Sequence, residues 1–346
     1  MTTGLQTDTY VDLDGRTLQL ATPEQQAERW LHHFGQWGTG YSKSMFLQRE
    51  AALADSAFGQ TQLKMWLWLE PNGQILGSCE TYASSAWYSD DKGRITPEPL
   101  QSVASVLVVP ELRGQGHAAA MMTALTGELR GLGTTFSTLF SDVGANLYRR
   151  SGYLLHPATQ TEVAVDLLAQ QHHHTEELGL GDLADLLARD SDEQSAWLGA
   201  ALAPAVTEVV EVNRIAWFAT RSCFRAWSRG QEPSPVIGAA VGDSFCLWTC
   251  DAAEPTLHML VWRPRDAEAA DQLLAAAHVH AANRGLRQLE WWDANRDTGL
   301  DPWRRPAVQP RGQARTRDSG LPMLAWLDKD RAMPLIWMGI ERFSWC

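Results

Sequence analysis

Hydrophobic positions along the chain recur now at every second residue and now at helical spacing, which predicts a mixture of strands and helices. Thr22-Pro23-Glu24-Gln25 reads as a helix start, with Thr22 as N-cap, Pro23 in the first turn and Gln25 three residues on. This helix is expected to run through Trp30 to about Phe34 and to be broken by Gly35-Gln36-Trp37-Gly38-Thr39-Gly40, with a second from about Ser44 to Ala54. Leu63–Leu69 and Gln74–Tyr82 form an antiparallel pair around the Pro71-Asn72-Gly73 turn. Trp87–Pro99, with Gly93, Pro97 and Pro99, reads as a polar excursion. Gln101–Val109 is the strongest strand. It leads into a Gly-rich turn and helix over Leu112–Gly131, then a strand over Thr135–Phe140. A helix over Val143–Arg150 ends at Gly152, and strands follow over Tyr153–Leu155 and Thr161–Val165.

Residues 171–185 are polar and contain glycine, and the domain boundary is placed there, giving domains 1–170 and 171–346. The second half repeats the first in outline. Val236–Val241 and Phe245–Cys250 pair as a hairpin, Thr256–Trp262 is a strong strand, Asp266–Gly285 an Ala-rich helix and Leu286–Trp292 a strand. Strand, long helix and strand mirror Gln101–Phe140, with Arg263-Pro264-Arg265-Asp266 standing where the Gly-rich turn would be. The fold class expected is α/β (α+β), with a second α/β domain read as a degenerate copy of the first. Pro302–Arg317 is expected to be an exposed loop, and the chain closes in an aromatic segment from Trp326 to Cys346.

At 346 residues the chain has room for two cores, and 45 % apolar against 20 % charged residues marks it as globular and not disordered. No apolar run approaches the ~20 residues that span a bilayer, and the N-terminus lacks the basic and apolar regions of a signal peptide. A cytoplasmic location without membrane attachment is therefore expected. Net charge is −12, divided as −6 on each side of residue 170, so no nucleic-acid partner is expected and a cationic small molecule suits the field better. Cys246 and Cys250 fall on one face of a strand and are read as buried thiols. His172-His173-His174 is read as a solvated linker, because adjacent side chains diverge; no metal site is expected.

The stretch with chemistry in it is Val106-Leu107-Val108-Val109-Pro110-Glu111-Leu112-Arg113-Gly114-Gln115-Gly116-His117-Ala118, followed by the apolar helix Ala119–Leu129. A strand delivers the backbone into a turn whose glycines remove side chains, and the turn opens a helix. Unpaired N–H groups there face outward and bind an anion such as a diphosphate, helped by the helix dipole. The spacing fits neither the dinucleotide fingerprint, which needs a third glycine, nor a P-loop, which needs Gly-Lys-Ser/Thr. A glycine-rich turn without a ligand is the alternative for Gly114-x-Gly116 alone.

The pattern V-x-V-x-P-E-x-R-G-x-G-x-A resembles motif A of the GCN5-related N-acetyltransferase (GNAT) superfamily. Ala145-Asn146-Leu147-Tyr148-Arg149-Arg150-Ser151-Gly152-Tyr153 resembles that superfamily's A-x-x-x-Y-x-x-x-G-F segment. Ser137–Gly144, Leu321-Pro322-Met323-Leu324-Ala325-Trp326 and the ending Glu341-Arg342-Phe343-Ser344-Trp345-Cys346 are similar to the fungal lysine N6-acetyltransferase family, which has a GNAT half and a second domain. One departure is Ser141, where many GNATs carry an Asn that reaches pantetheine; Asn146 is a candidate substitute.

The resemblance implies acetyl-CoA as cosubstrate and direct acetyl transfer to the primary amine of a small molecule, with free lysine as first candidate. It implies that Leu107, Val108 and Val109 hold the pantetheine arm and the thioester oxygen. Arg113, Gly114, Gln115, Gly116, His117 and Ala118 would hold the diphosphate. Tyr148 is the implied acid at the sulfur, its phenol being protonated at neutral pH. Glu80, Asp142 and the carboxylate of Cys346 stand as alternatives for the base. Acceptor selection is expected from Trp37–Ser44, from the excursion with Trp87, Tyr88, Asp90 and Asp91, and from the second domain. Other acceptors (an aminoglycoside, a polyamine or a protein N-terminus) and a non-catalytic acetyl-CoA sensor remain alternatives.

Overall fold

The computed structural model describes residues 10–12, 14–169, 174–199, 201, 203–292, 313–328 and 335–345. Strands β1 (Tyr10–Val11) and β2 (Thr17–Leu20) precede helix α1 (Pro23–Trp37). Thr22 caps α1 with a complete capping box: its hydroxyl accepts from the Gln25 amide, and the Gln25 side chain accepts from the Thr22 amide. The helix passes through Gly35 and stops at Gly38, three residues later than expected. One helical glycine costs only about 1 kcal/mol, and the extra turn lets Trp37 pack on His33, ring centroids 4.7 Å apart. Helices α2 (Lys43–Asp55) and α3 (Ala57–Gln62) follow, capped by Ser42 and Ser56.

Strands β3 (Leu63–Leu69), β4 (Ile75–Ser89) and β5 (Ile95–Val108) form an antiparallel meander. The expected polar excursion is corrected here, since Trp87–Pro99 is the far end of the long β4–β5 hairpin, closed by a turn at Asp90–Gly93. Its prolines mislead because β5 has an open edge there. The Pro99 carbonyl accepts from the Thr135 amide, so the prolyl nitrogen points away from β4 and no ladder bond is lost. Helix α4 (His117–Gly131) leads to β6 (Phe136–Ser141), which lies parallel to β5. Then come α5 (Asn146–Arg149), β7 (Leu154–Leu155) and β8 (Thr159–Ala164).

The second half supplies β9 (Glu176–Leu178), α6 (Leu183–Leu198), β10 (Ala205–Glu208), α7 (Val212–Ser228), β11 (Gly238–Val241), β12 (Ser244–Thr249) and β13 (Thr256–Arg263). It continues with α8 (Ala267–Asn283), β14 (Gln288–Trp292), β15 (Gln313–Thr316), β16 (Leu321–Trp326) and β17 (Ile336–Met338). Residues 302–312 of the expected loop lie outside the described residues. Its end is strand β15 on β8, and Arg317 beyond it is buried, 3.7 Å over the Trp292 ring.

The expected likeness between the halves is visible as β5–α4–β6 against β13–α8–β14, each a parallel strand pair joined by a long helix. At the second copy's turn, Arg263 is buried between Asp190 and Glu341, each 2.7 Å away, and Arg265 pairs with Glu193. Ion pairs thus fill the place that the first copy leaves open.

The two sheets do not divide at residue 170. In each, the partner of the parallel strand comes from the other half: β16 lies on β6, and β8 lies on β14. β10 also extends the end of β4 and carries β17 on its far side. The cores follow the same exchange, since Met323, Ala325 and Leu327 pack with Met121, Leu125 and Leu139 of the first half. Phe58 and Tyr82 join Trp217 and Phe218 of α7 between the halves. A fragment ending at residue 170 loses β10, β16 and β17 and exposes those faces. It is expected to show no cooperative thermal transition by circular dichroism, and a sharp transition near that of the full chain would contradict this arrangement.

Burial depresses several histidines: His156 and His280 to about 4, His33 well below 6.5, and His258 and His278 below it. These bind fewer protons folded than unfolded, so the stability they contribute is full above pH 6.5 and is lost as pH falls toward 4. Glu341, pushed up by burial to about 7, and Glu208, raised by burial as well, act in the opposite sense, but they are two groups against five. The melting temperature is expected to drop by about 10 °C between pH 7 and pH 4.5, and a flat profile in calorimetry would refute this.

Candidate active site

The site begins with a fault in the sheet. Strand β5 pairs with β6 only from Leu100↔Phe136 to Val103↔Leu139. Just beyond, Ser105 and Val106 face the single residue Cys79 of β4, a β-bulge, and Ser105 has a φ of 53°. The strands part from there, and Val106–Val108 border an open cleft of about 640 Å³. A short turn over Pro110–Leu112 follows, then Gly114 (φ 79°) and Gly116 (φ 88°), which open α4. No side chain caps α4, and a Cβ on either glycine would meet nothing within 4 Å. The glycines are therefore required by left-handed backbone and leave a bare face of amides.

Half of the expected site residues meet in this cleft: Leu107, Val108, Arg113, Ala118, Glu80, Asp142 and Tyr148 all line it. Gly114, Gln115, Gly116 and His117 form the turn between Arg113 and Ala118, with the His117 ring buried, so that only its main chain serves the turn. Arg113 Nε donates to the Val108 carbonyl at 3.2 Å, which ties the turn to the strand. Val109 does not line the cleft, and its amide donates to the Leu76 carbonyl. Asn146 is exposed at the start of α5, away from the lining. Ser141 turns its hydroxyl onto the Gly144 carbonyl at 2.6 Å. Cys346 lies outside the described residues; Trp345 is on the cleft wall.

Tyr148 stands on α5 with its ring buried beside Tyr153. Burial, then the charge of Asp142, pushes the phenol above its ordinary value, so it stays protonated. Glu80 is different in kind. Burial disfavours its charge, but Arg29 at 2.8 Å, His33, and hydroxyl donors from Ser105 at 2.6 Å and Tyr82 at 2.8 Å outweigh this and hold the carboxyl down to about 2. Asp142 accepts from the Gly320 amide through Oδ1 alone and is exposed.

The facing wall includes Trp37 and Thr39 of the expected Trp37–Ser44 stretch and part of the second half, but its individual charged residues were not foreseen from sequence. It is built by α1, α2, α7, the segment after β12 and the short turn at Arg342–Ser344, bringing Arg49, Arg221, Arg225, Arg342, Asp251 and Trp217 to the cleft. Arg221 Nε lies 2.8 Å from Asp251 Oδ2, and the ring of Trp345 lies between the guanidiniums of Arg221 (5.0 Å) and Arg342 (4.8 Å). The signal for these residues was present: Arg214, Trp217, Phe218, Arg221 and Arg225 share one face of α7. Arginines on an apolar helix stripe mark a face turned inward toward charge. The expected acceptor loop is corrected as well. Trp87 donates to Ser191 and Tyr88 is buried in the β10–β16 core, so neither reaches the cleft.

The ionised groups of the lining balance: Arg49, Arg113, Arg221, Arg225 and Arg342 against Glu50, Glu80, Asp142, Asp251 and Glu254. In a chain of net −12 this is a locally neutral site dense in charges of both signs.

A family model described as the LYC1 GNAT-like C-terminal domain matches residues 158–346. The chain belongs to the LYC1-like GNAT acetyltransferase family. The match begins one residue before β8, where the chain crosses from the first sheet to the second. No curated protein sequence matches the chain. Among solved structures, a GCN5-related N-acetyltransferase from Kribbella flavida is 16 % identical with a TM-score of 0.55, over 90 % of this chain and 72 % of that one. One from Anabaena variabilis is 15 % identical with a TM-score of 0.51, over 90 % and 73 %. The glucosamine N-acetyltransferase region of a fungal multi-domain GH3 β-N-acetylglucosaminidase is 11 % identical with a TM-score of 0.53, over 91 % and 38 %. At these identities the three likenesses concern the fold. It is the GNAT fold, here extended by the LYC1-like second half. Among the described residues no helix is long and apolar enough to cross a membrane, and no three His, Cys, Asp or Glu side chains gather as a metal site.

Proposed function

We propose that this LYC1-like GNAT protein transfers acetyl from acetyl-CoA to the amine of a small amino acid, with free lysine as the first candidate. The observation that carries the reading is one cleft joining the parted strand and bare glycine turn to balanced arginines and carboxylates. A polyamine needs only anions, and a neutral sugar amine has no use for buried guanidiniums. An amino acid brings a carboxylate for the arginine wall and an ammonium for the acidic side.

Acetyl-CoA, when bound, supplies an acetyl thioester at the free edge of β5. The main chain of Leu107 and Val108 pairs with the pantetheine arm, and the strand's amides are the donors available to the thioester oxygen. Arg113 and the amides from Gly114 to Ala118 hold the diphosphate. The acceptor must lose a proton before its lone pair can attack. Asp142 is exposed and its Oδ2 accepts no hydrogen bond among the described residues, so it takes that proton directly or through water, whereas Glu80 is held too acidic to do so. As the new C–N bond forms and the C–S bond breaks, the Tyr148 hydroxyl delivers its proton to the departing sulfur, and the second proton that the attacking nitrogen loses in becoming an amide returns through water to the Tyr148 oxygen, which leaves the phenol neutral again.

The test is thiol release by the purified chain with acetyl-CoA and either lysine or cadaverine, the diamine lacking the carboxylate, with products identified by mass. Lysine is expected to be acetylated with the higher kcat/KM. Equal or better use of cadaverine or glucosamine would overturn the amino-acid reading, and acetyl-CoA binding without turnover would make the protein a sensor.

A further inference from the structure

We propose that Glu80 is a positioning residue: through Ser105 it holds the bulge that parts β5 from β6, and so keeps open the slot for the thioester arm. This rests on the acetyltransferase reading above. Ser105 is the one non-glycine residue with positive φ among the described residues, at 53°. Such a conformation is strained for a side-chain-bearing residue and persists only where its surroundings enforce it. Glycine would adopt it freely, but glycine has no hydroxyl. The Ser105 hydroxyl donates to Glu80 Oε2 at 2.6 Å, across the very bulge in which Ser105 and Val106 oppose Cys79.

The anchor is itself fixed from three elements. The Tyr82 hydroxyl donates to Glu80 Oε2 at 2.8 Å, and the Tyr82 ring stacks on Phe58 of α3 with centroids 5.4 Å apart. Arg29 of α1, fully buried, lies 2.8 Å from Glu80 Oε1. A carboxylate held in this way is a rigid acceptor and a poor base. The parallel ladder between β5 and β6 stops at Val103, two residues before Ser105. Without the bulge β5 would stay in register with β4 and continue along β6, closing the edge against which the arm lies.

Ser105→Ala removes the anchor and keeps the strained conformation; Ser105→Gly removes the anchor and the strain together. Ser105→Ala is expected to weaken acetyl-CoA binding about tenfold by calorimetry, and Ser105→Gly about threefold, with kcat at saturation within about threefold of wild type. In the free protein, amide hydrogen exchange over 104–108 should quicken in Ser105→Ala, a readout that needs no ligand. Glu80→Gln should raise KM for acetyl-CoA while leaving the acidic limb of the pH–rate profile in place. If that variant does not fold, the Ser105 pair decides. Wild-type exchange and affinity in Ser105→Ala would overturn the proposal, as would a Glu80→Gln protein that binds acetyl-CoA normally but loses turnover and the acidic limb. Failure of the wild-type chain to bind acetyl-CoA would instead defeat the functional reading, and hydrogen exchange alone would then judge the clamp.

Discussion

Replacing Tyr148 with Phe is expected to lower kcat by about 10²–10³-fold while acetyl-CoA affinity stays within about twofold. The change removes one hydroxyl from a ring whose packing beside Tyr153 in the first core is otherwise kept, so the fold should not respond. Burial and the nearby Asp142 hold the phenol protonated across the pH range in which the chain is stable, which suits a donor and excludes a resting phenolate. If the hydroxyl delivers its proton to the departing sulfur, losing it leaves a bare thiolate to be expelled into the cleft. The loss must then appear in the chemical step and not in binding. Single-turnover thiol release together with calorimetry separates the two. Unchanged kcat would return Tyr148 to a packing role and leave solvent as the acid.

Local chemistry explains what was legible in the sequence. Thr22 and Gln25 close a capping box, Asn72-Gly73 a hairpin, and the run from Val106 to Ala118 a strand, bare turn and helix, each determined by residues a few positions apart. Pairings set from far away were not legible. Trp87–Pro99 reads as loop because of its prolines, and β10, the strand that covers its β4 arm, begins 116 residues after Ser89. The exchange of β8 and β16 between sheets leaves no local trace, since each strand alternates as it would in either sheet. The same holds for the site. The cofactor side is one contiguous motif, whereas the facing wall is assembled from α1, α2, α7 and the segment around Arg342. Glu80 shows how function and position diverge: a strand carboxylate next to the motif is a fair candidate base until Arg29, Tyr82 and Ser105 are seen to occupy it.

The second large effect concerns the facing wall. Arg342→Gln is expected to raise KM for lysine about 10–100-fold, corresponding to one charge-assisted contact of about 1.5–3 kcal/mol, with kcat and acetyl-CoA affinity nearly unchanged. Arg342 suits this test better than Arg221, which neutralises the buried Asp251 at 2.8 Å, so that its loss would strand a charge and confound binding with stability. Among the described residues the carboxylate nearest to Arg342 in an ion pair is that of Glu290 at 3.7 Å, longer than a hydrogen bond, and the buried Arg342 Nε has no hydrogen-bond partner there. Its guanidinium therefore retains donors for an incoming carboxylate, while the rings of Trp292 and Trp345, 5.0 and 4.8 Å away, fix its plane. The decisive control is cadaverine. With no carboxylate to lose, its kcat/KM should barely change in Arg342→Gln, so the preference for lysine over the diamine should collapse. If both substrates suffer equally, Arg342 supports the wall without reading the acceptor, and the carboxylate must be bound elsewhere among Arg49, Arg221 and Arg225.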